Sequence, residues 1–286
     1  MSVRGGCLCQ AVRWRVDEVS PLAHCHCSVC RKAHGTAFAT FMAAPLVEFE
    51  AGESALTIFE SSPGFKRAFC SHCGSMVPGV APDGHCFVPA GGFIDDPGVT
   101  AKIHLFVPSK APWHEITDGL RQFDAFPDRD GPASLRDRVP RGPRNVEARG
   151  ADEALRGSCN CGAVVFEVDP PTFTRAHNCH CTRCRRAHAA AYASNGVVPN
   201  SALRYLRGSD HLARYALEGA DRFAQVFCKT CGSAMPRRVA FRNVAVIPLG
   251  SLDGSPHVEL SRHIFVANKA PWHEITDDLP THAAAQ

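Results

Sequence analysis

The sequence predicts a mainly β protein that consists of two tandem domains. Three observations support this prediction. Cysteine pairs and triplets recur in the same order in the two halves of a chain of 286 residues. Short runs in which apolar and charged residues alternate are typical of half-buried strands. No long stretch has the 3.6-residue apolar period of an amphipathic helix.

The internal repeat is the evidence for duplication. Fourteen of the fifteen cysteines form two sets of seven in the same order, namely Cys7, Cys9, Cys25, Cys27, Cys30, Cys70 and Cys73, then Cys159, Cys161, Cys179, Cys181, Cys184, Cys228 and Cys231. The segment 110–118 is repeated without change at 269–277. A period this long indicates duplicated domains rather than a solenoid. We therefore expect a first domain at 1–120 and a second at 155–286.

Strand signals run through both halves in order. Val12, Trp14 and Val16 alternate with arginines, as in a strand with one buried face. Two β-prone runs follow the first cysteine triplet, at 37–43 and 46–49, separated by a proline. Runs at 56–60 and 65–69 flank a Ser-Ser-Pro-Gly turn, which is a hairpin signal. The second half repeats the hairpin pattern at 214–217 and 222–227, so we expect the two halves to share one mainly β fold.

The segment between the halves differs in composition. Residues 121–154 contain several prolines, repeated Asp/Arg pairs and few large apolar residues. We expect a charged linker rich in Pro and Gly. It either wraps one domain, with one short helix at 133–139, or is a disordered tether.

Composition limits the possible partners and compartments. A net charge of +3 is too small to favour nucleic acid or an acidic membrane surface. The first ten residues lack an apolar signal segment, and no run approaches eighteen apolar residues, so we expect a cytoplasmic protein. In that compartment fifteen cysteines indicate metal binding rather than disulfides. The remaining cysteine, Cys86, has no counterpart at an offset of 158, where Val244 stands, and we interpret it as a small buried apolar residue.

The spacing of the cysteines suggests two kinds of zinc site in each half. The C-x-C and C-x-x-C pairs supply four ligands for a closed tetrahedral structural site, at Cys7, Cys9, Cys70 and Cys73 and at Cys159, Cys161, Cys228 and Cys231. The C-x-C-x-x-C triplets supply three ligands each, at Cys25, Cys27 and Cys30 and at Cys179, Cys181 and Cys184. A triplet leaves one tetrahedral position open, which is typical of a catalytic zinc. We therefore expect about four zinc ions per chain.

These motifs resemble a known family. The segments Gly6-Cys7-x-Cys9, Cys25-His26-Cys27-x-x-Cys30-Arg31-Lys32, Phe69-Cys70-x-x-Cys73-Gly74-Ser75 and Ala111-Pro112-Trp113 are similar to those of the glutathione-dependent formaldehyde-activating (GFA, or CENP-V-like) family. The resemblance covers nearly all of both halves. It implies an Mss4-like, β-tent fold, a structural zinc on the four-cysteine set and a second zinc on the triplet. It also implies a carbon–sulfur lyase activity of the S-(hydroxymethyl)glutathione synthase type.

The donor set agrees with thiol chemistry. Three thiolates make zinc a weak Lewis acid, and a soft thiol is its natural fourth ligand. Coordination would keep that thiol ionised near neutral pH, below its ordinary pKa of about 8.5. The sulfur could then attack formaldehyde or a similar small electrophile. We therefore expect a glutathione-like thiol as partner, with no nucleic acid and no membrane.

The residues beside the triplets leave several alternatives open. Arg31 and Arg185 directly follow the third ligand and are candidates to bind substrate carboxylates; the alternative is a solvated basic turn. A histidine at 26, 34, 180 or 188 could instead close the triplet as a fourth ligand. His104 and His263 are interpreted as strand positions, and Asp95 and Asp253 as turn residues. Trp113 and Trp272 either wall a pocket or anchor the core.

Two classes of function remain. The first is a zinc-dependent enzyme that acts on a thiol adduct at the open triplets. The alternative is a non-catalytic, zinc-stabilised binding module. Duplication also favours packing of the two halves as a pseudo-dimer.

Overall fold

The computed structural model describes residues 2–127, 154–169, 173–220, 223–256 and 258–285. In the first half the strands are β1 Val3–Gly6, β2 Arg13–Val16, β3 Leu22–Cys25, β4 Ala39–Ala44, β5 Glu48–Ala51, β6 Leu56–Ser62, β7 Phe65–Cys70, β8 Met76–Val80, β9 Cys86–Pro89, β10 Ala101–Leu105 and β11 Arg121–Phe123. In the second half they are β12 Leu155–Ser158, β13 Val165–Val168, β14 Arg175–Cys179, β15 Ala193–Pro199, β16 Leu203–Arg207, β17 Leu212–Ala216, β18 Ala224–Cys228, β19 Arg237–Val239, β20 Val244–Pro248, β21 His263–Ile264 and β22 Thr281–His282.

The described part of the chain contains one short α-helix in each half, α1 Ser28–His34 and α2 Thr182–His188. The prediction of a mainly β protein is thus confirmed. No helix among the described residues is long and apolar enough to cross a membrane. The helix expected at 133–139 lies outside the described residues, and the domain limits stay a prediction. The first residues of the expected linker, Arg121–Phe123, form strand β11.

The two halves share a small three-stranded sheet, whereas the larger sheet of the first half is divided in the second. A three-stranded sheet has the order β1-β2-β5 in the first half and β12-β13-β16 in the second. The larger sheet has the order β11-β10-β3-β4-β9-β8-β7-β6. In the second half its counterpart is divided into β19-β20-β15-β14-β21-β22 and the hairpin β17-β18. The strand carrying each cysteine triplet, β3 or β14, therefore lies between an antiparallel and a parallel neighbour.

Alternation in the sequence explains the small sheets. Val12, Trp14 and Val16 are at most 1% exposed, whereas Arg13 between them is exposed. Their buried face contacts a core that continues into the other half, where Tyr192 belongs to the same cluster. The apolar core is thus shared rather than confined to one domain.

The contacts between the halves are reciprocal. Helix α1 packs on the turn Leu249–Ser251 of the second half, and α2 packs on the equivalent turn Ala90–Gly92 of the first. A Cβ atom at Gly250 would lie 2.4 Å from the Arg31 carbonyl oxygen, and one at Gly91 would lie 2.1 Å from the Ala190 nitrogen. Glycine is required at both positions because backbone from the other half occupies that space.

Strand pairing also revises one expectation about Cys86. Val80 pairs with Cys86, and the equivalent Arg238 pairs with Ala245. The counterpart of Cys86 is therefore Ala245 rather than Val244, because the loop before β20 is one residue longer than the loop before β9. Cys86 is half-buried on β9, so the expectation of a fully buried residue was wrong.

Candidate metal centres and candidate active sites

The first four-cysteine cluster is assembled from two distant segments. The turn after β1 supplies Cys7 and Cys9, and the end of β7 and the following turn supply Cys70 and Cys73. The Cys7 and Cys9 sulfurs are 3.4 Å apart, and those of Cys9 and Cys70 are 3.7 Å apart. The backbone N–H of Val12 donates to the Cys7 sulfur at 3.3 Å.

The second four-cysteine cluster repeats this arrangement. The Cys159 and Cys161 sulfurs are 3.4 Å apart, and those of Cys161 and Cys228 are 3.7 Å apart. Cys231 completes the set, and its sulfur is 3.3 Å from the hydroxyl oxygen of Ser233. None of these cysteines forms a disulfide.

This geometry suits a tetrahedral ion. Four Zn–S bonds of about 2.3 Å place neighbouring sulfurs about 3.8 Å apart. The observed separations of 3.4 and 3.7 Å are close to that value. Each cluster can therefore hold one metal ion that joins the first strand of its half to the C-x-x-C turn.

The first triplet lies where a strand turns into a helix. Cys25 is the last residue of β3, Cys27 is the N-cap of α1, and Cys30 lies in the first turn of that helix. The backbone N–H of Cys30 donates to the Cys27 sulfur at 3.4 Å. This contact lets the sulfur act as the capping acceptor that Ser or Asp usually provides. No helix was expected here from the sequence.

The second triplet has the same backbone. Cys179 ends β14, Cys181 caps α2, and the N–H of Cys184 donates to the Cys181 sulfur at 3.4 Å. Hydrogen bonds from the neighbouring thiols Cys179 and Cys184 lower the pKa of Cys181. The arrangement thus favours thiolate at Cys181, which is the form that binds metal.

Both triplets offer three donors only. Within each triplet all sulfurs lie within 4.8 Å of one another, and among the described residues no histidine or carboxylate joins either group. A histidine cap from within the loop, the alternative left open by the sequence, is therefore not part of either site. Three soft donors fit a zinc ion with one free coordination position.

The basic residues after the third ligand are not a solvated turn. Arg31 and Arg185 are half-buried, and the Nε atom of each is buried without a hydrogen-bond partner. Burial lowers the pKa of both guanidinium groups, although the nearby thiols Cys27 and Cys181 respectively act to raise it. Both arginines therefore lie beside a triplet with unused donor capacity.

Lys32 has a different role from its neighbour. Its ammonium group is buried and forms an ion pair with Asp253 of the second half. It also donates to the Ser158 hydroxyl at 2.6 Å. Asp253 is thus more than a turn residue, because it neutralises a lysine across the contact between the halves.

A hydrogen-bonded chain of side chains starts inside each cysteine loop. His26 Nε2 is 2.8 Å from His104 Nδ1, and His104 Nε2 is 2.9 Å from the Asp118 carboxylate. In the second half, His180 Nε2 is 2.7 Å from His263 Nδ1, and His263 Nε2 is 3.0 Å from Asp277. His104 and His263 lie on strands, as expected, and also join the cysteine loop to an aspartate.

The carboxylate fixes the positions of the protons in this chain. An ionised Asp118 only accepts, so His104 Nε2 carries a proton and His104 Nδ1 accepts from His26 Nε2–H. His26 Nδ1 is then a bare acceptor, and it is buried without a partner, as is His180 Nδ1. Burial lowers the pKa of His26 to about 2 and that of His180 to about 3, and neighbouring histidines and basic side chains act in the same direction. Both rings are neutral at physiological pH.

A cavity of about 410 Å³ lies between the halves, next to these chains. Its walls come from both copies of the repeated nine-residue segment and include His114, Tyr192 and Trp272. Trp272 is only 3% exposed and also belongs to the apolar core, so it both lines the cavity and anchors the core. Trp113 packs against both cores. No cysteine of a triplet lines the cavity.

Sequence reasoning missed several residues of the site. Asp118 and Asp277 were seen only as part of the repeated segment, and nothing in their spacing relates them to the cysteine loops. Arg67 was also missed, although its Nη2 atom donates to the Cys30 sulfur at 3.4 Å. The signal available in the sequence was an arginine among apolar residues in the run Phe65–Cys70 that leads to a C-x-x-C turn.

Fold and cysteine geometry together define a duplicated protein with cysteine clusters that can hold metal ions. The family model of the glutathione-dependent formaldehyde-activating enzyme, GFA, matches residues 2–109 and 154–268. The chain belongs to this family, and both halves are members of it. The resemblance predicted from the motifs is confirmed.

Two individual proteins are similar to this chain. A Halomonas elongata protein named "Putative glutathione-dependent formaldehyde-activating enzyme" is 34% identical over an alignment of 143 positions that covers 45% of this chain and 90% of the relative. A crystal structure of a Rhodobacter sphaeroides protein is 31% identical and aligns with 35% of this chain and 88% of its own, with a TM-score of 0.30.

Proposed function

We propose that this protein is a zinc-dependent enzyme of the carbon–sulfur lyase type that binds a glutathione-like thiol at a cysteine triplet. The supporting observation is the open donor set: three cysteine sulfurs converge, and no described histidine or carboxylate completes the group. A thiol is the fourth ligand that such a soft set prefers. Membership of the GFA family and the name of the Halomonas relative agree with this substrate class.

The reaction joins a thiol to a small aldehyde such as formaldehyde, or reverses that step. The sulfur lone pair forms a C–S bond to the carbonyl carbon, and the C=O π pair moves to oxygen, which takes up the proton that the thiol has lost. A zinc ion in the triplet would supply a positive charge that holds the substrate sulfur as thiolate. In this proposal Cys25, Cys27 and Cys30, or Cys179, Cys181 and Cys184, hold that ion.

The remaining side chains orient the substrate. Arg31 and Arg185 have buried Nε–H groups without partners, which can donate to a substrate carboxylate. The chains from His26 to Asp118 and from His180 to Asp277 hold the cysteine loops in one position. In the proposal the four-cysteine clusters hold structural zinc, which gives about four ions per chain, and the two halves act as a pseudo-dimer.

Metal analysis of single and paired variants tests this proposal. The purified chain is expected to contain close to four zinc ions. The double variant Cys27→Ser/Cys181→Ser should keep about two, retain its fold by circular dichroism and lose thiol binding. Cys86→Ser is the matched control, because Cys86 belongs to no cluster, and it should change neither the metal content nor thiol binding.

The alternative, a non-catalytic zinc-stabilised binding module, predicts other results. In that case the chain would hold two zinc ions, or the double variant would keep its zinc content and bind thiols as before. Global unfolding of the double variant would also favour the structural role, provided that Cys86→Ser stays folded.

A further inference from the structure

The two triplets differ in access to solvent. Cys27 and Cys30 are only 5% and 6% exposed. Their counterparts Cys181 and Cys184 are half-buried instead. A thiol with a bulky carrier therefore meets different surroundings at the two sites.

Aromatic residues cover the first triplet. Phe41 and Phe106 pack against its cysteines, and the ring of Phe126 contacts Phe106 edge-on at 5.1 Å between centroids. Phe126 also stacks on Phe65 at 6.5 Å. Phe41 and Phe106 thus occupy part of the surface around the cysteines, and Phe126 packs on Phe106.

The second half lacks most of this cover. Strand pairing makes Asn195 the counterpart of Phe41, and Ala285 the counterpart of Phe126. In the helices, Arg183 stands where the first half has Val29, and Arg183 is exposed. Small or polar side chains have thus replaced three apolar ones around the second triplet.

The cation beside the third ligand has also moved. In the first half Arg67 is 8% exposed, contacts the Cys30 sulfur and lies over the Phe87 ring at 5.6 Å. Its counterpart in the second half is Gln225, at the same distance in sequence before the C-x-x-C turn. In the second half Arg237 of β19 lies near the triplet instead: burial lowers its pKa, and the nearby sulfur of Cys184 acts in the opposite direction.

This exchange is coupled to packing. Arg237 is the counterpart of Gly79, where a Cβ atom would lie 2.6 Å from the Phe87 ring. In the second half Val246 replaces that ring, as the pairs Gly79–Phe87 and Arg237–Val246 show. The Lys66 carbonyl oxygen would lie closer still to that Cβ atom, at 2.4 Å, so both the ring and the neighbouring backbone exclude a side chain at Gly79, whereas the second half accommodates one at Arg237. The guanidinium of Arg237 forms no hydrogen bond or ion pair with any described residue.

Further arginines surround this position. The positive charge of Arg214 helps burial to lower the pKa of Arg237. Burial lowers the pKa of His177, and the charges of Arg175 and Arg262 lower it further. Arg214 replaces Ile58, and Arg175 and Arg262 replace Pro21 and Ile103. Within the described residues none of these arginines forms an ion pair. Unpaired positive charge next to a metal position attracts an anionic ligand.

We propose that the two triplets have diverged, so that the C-terminal triplet binds an anionic thiol with Arg237 and Arg185, while the N-terminal triplet, where Phe41 and Phe106 pack on the cysteines and Arg67 is already bonded to Cys30, excludes it. This inference rests on the proposed function and restricts it to one half. The ligand class is a thiol with at least two negative groups remote from its sulfur. The N-terminal triplet then holds a metal ion without binding this thiol.

Titration of the cobalt-substituted full chain tests the inference, because sulfur binding to Co²⁺ changes its visible and near-ultraviolet absorption. Glutathione is the anionic probe and 2-mercaptoethanol the neutral one. One equivalent of glutathione per chain is expected. Cys181→Ser should abolish the change, and Cys27→Ser should retain it.

Charge variants identify the binding residues. Arg237→Gln should weaken glutathione binding about tenfold and leave 2-mercaptoethanol binding unchanged. The control Arg204→Gln removes an exposed charge that pairs with Glu167, and it should have no effect. Uncovering the N-terminal triplet with Phe126→Ala and Arg67→Gln should raise the stoichiometry from one glutathione to two, which serves as a second readout if Cys27→Ser does not fold.

Three results would overturn the inference. They are binding of two equivalents with similar affinity in the unaltered chain, loss of binding in Cys27→Ser with retention in Cys181→Ser, and an unchanged affinity in Arg237→Gln. Absence of any thiol response in the cobalt form would contradict the proposed function itself, since neither triplet would then accept a fourth sulfur.

Discussion

His34 Nδ1 donates to the carbonyl oxygen of His188 at 2.7 Å, and His188 Nδ1 donates to the carbonyl oxygen of His34 at 2.6 Å. Each donor is the last residue of the helix that carries the third cysteine of a triplet. The two helices therefore meet end to end through a reciprocal pair of hydrogen bonds. Burial lowers the pKa of both imidazoles, to about 4 for His188.

A substitution at Gly35, the residue after the first helix, tests how tightly the two halves pack at this contact. Gly35 has a φ of 65°, and a Cβ atom there would lie 2.8 Å from the Ala234 Cβ. Gly35→Ala should lower the free energy of unfolding by about 2–4 kcal/mol, part from the left-handed backbone and part from overpacking. Urea denaturation measures the difference.

Gly98 is the matched control for this substitution. Its φ is 66°, but no atom lies within 4 Å of its hypothetical Cβ. Gly98→Ala should therefore cost only the backbone strain, about 1–2 kcal/mol. If the two variants lost the same free energy of unfolding, the contact between the halves would accommodate the added methyl group without destabilisation.

The four-cysteine clusters are expected to carry stability. Cys70→Ser removes one sulfur from a buried group of four. Because a structural zinc contributes roughly 10 kcal/mol to small metal-dependent modules, we expect a loss of at least about 3 kcal/mol and of one zinc per chain. Thermal unfolding and metal analysis measure both. Cys86→Ser, outside the clusters, should leave them unchanged, and similar melting temperatures for the two variants would contradict the structural role.

The hydrogen-bonded chain gives a prediction about proton positions. In Asp118→Asn the side-chain amide can donate to His104 Nε2, so the proton on His104 moves to Nδ1 and reverses the chain. His26 Nδ1 must then hold a proton without a partner, at a cost of about 1–3 kcal/mol. Nitrogen NMR of the imidazoles should show protonation of His26 Nδ1 in the variant and not in the unaltered chain.

The second half supplies the control for this experiment. Asp277→Asn should shift the signals of His180 and His263 and leave those of His26 and His104 unchanged. The reason is that the hydrogen-bonded side chains of the two halves form two separate networks. A shift of both sets in either variant would show that the chains are connected through the cavity between the halves.

Acid should destabilise the protein through His114. Burial lowers the pKa of His114 to about 4; Lys110 and His104 act in the same direction, and Asp277 and Asp118 oppose them. The folded form thus favours the neutral ring. Its stabilisation is complete above the unfolded-state pKa of about 6.5 and is lost progressively as pH falls towards 4. Urea denaturation between pH 7 and 5.5 should show this loss.

Removing the group should flatten that dependence. His114→Gln is expected to unfold with a smaller change in stability between pH 7 and 5.5. His85→Gln, at an exposed histidine beside Asp83, is the control and should retain the slope of the unaltered chain. An unchanged slope in His114→Gln would assign the acid sensitivity to other groups.

Local features of the fold and of the candidate site could be predicted from the sequence, whereas contacts between distant strands could not. Fixed offsets between cysteines predicted which sulfurs would meet, because local C-x-C and C-x-x-C spacing brings two ligands together in one turn. The alternation at Val12, Trp14 and Val16 predicted a strand for a similar local reason. The pairing of His104 with Asp118 could not be predicted, since it depends on the parallel placement of β10 between β3 and β11.

The same limit applies to the arginines. Arg67 and Arg237 are not equivalent in sequence. Only the folded chain shows that Arg67 on β7 reaches the Cys30 sulfur and that Arg237 on β19 lies near Cys184. The helix in each cysteine loop was also missed, because seven residues are too few for a clear apolar period.

The reciprocal contact between His34 and His188 has a consequence for the history of the two sites. In a symmetric dimer of identical chains, every substitution is made twice, and a change that suits one site is imposed on its twin. Here two copies share one continuous polypeptide, so Val29 and Arg183 could be selected independently while the contact that joins the copies was kept. Fusion of the copies therefore permits one half to specialise while the other continues to serve as its scaffold.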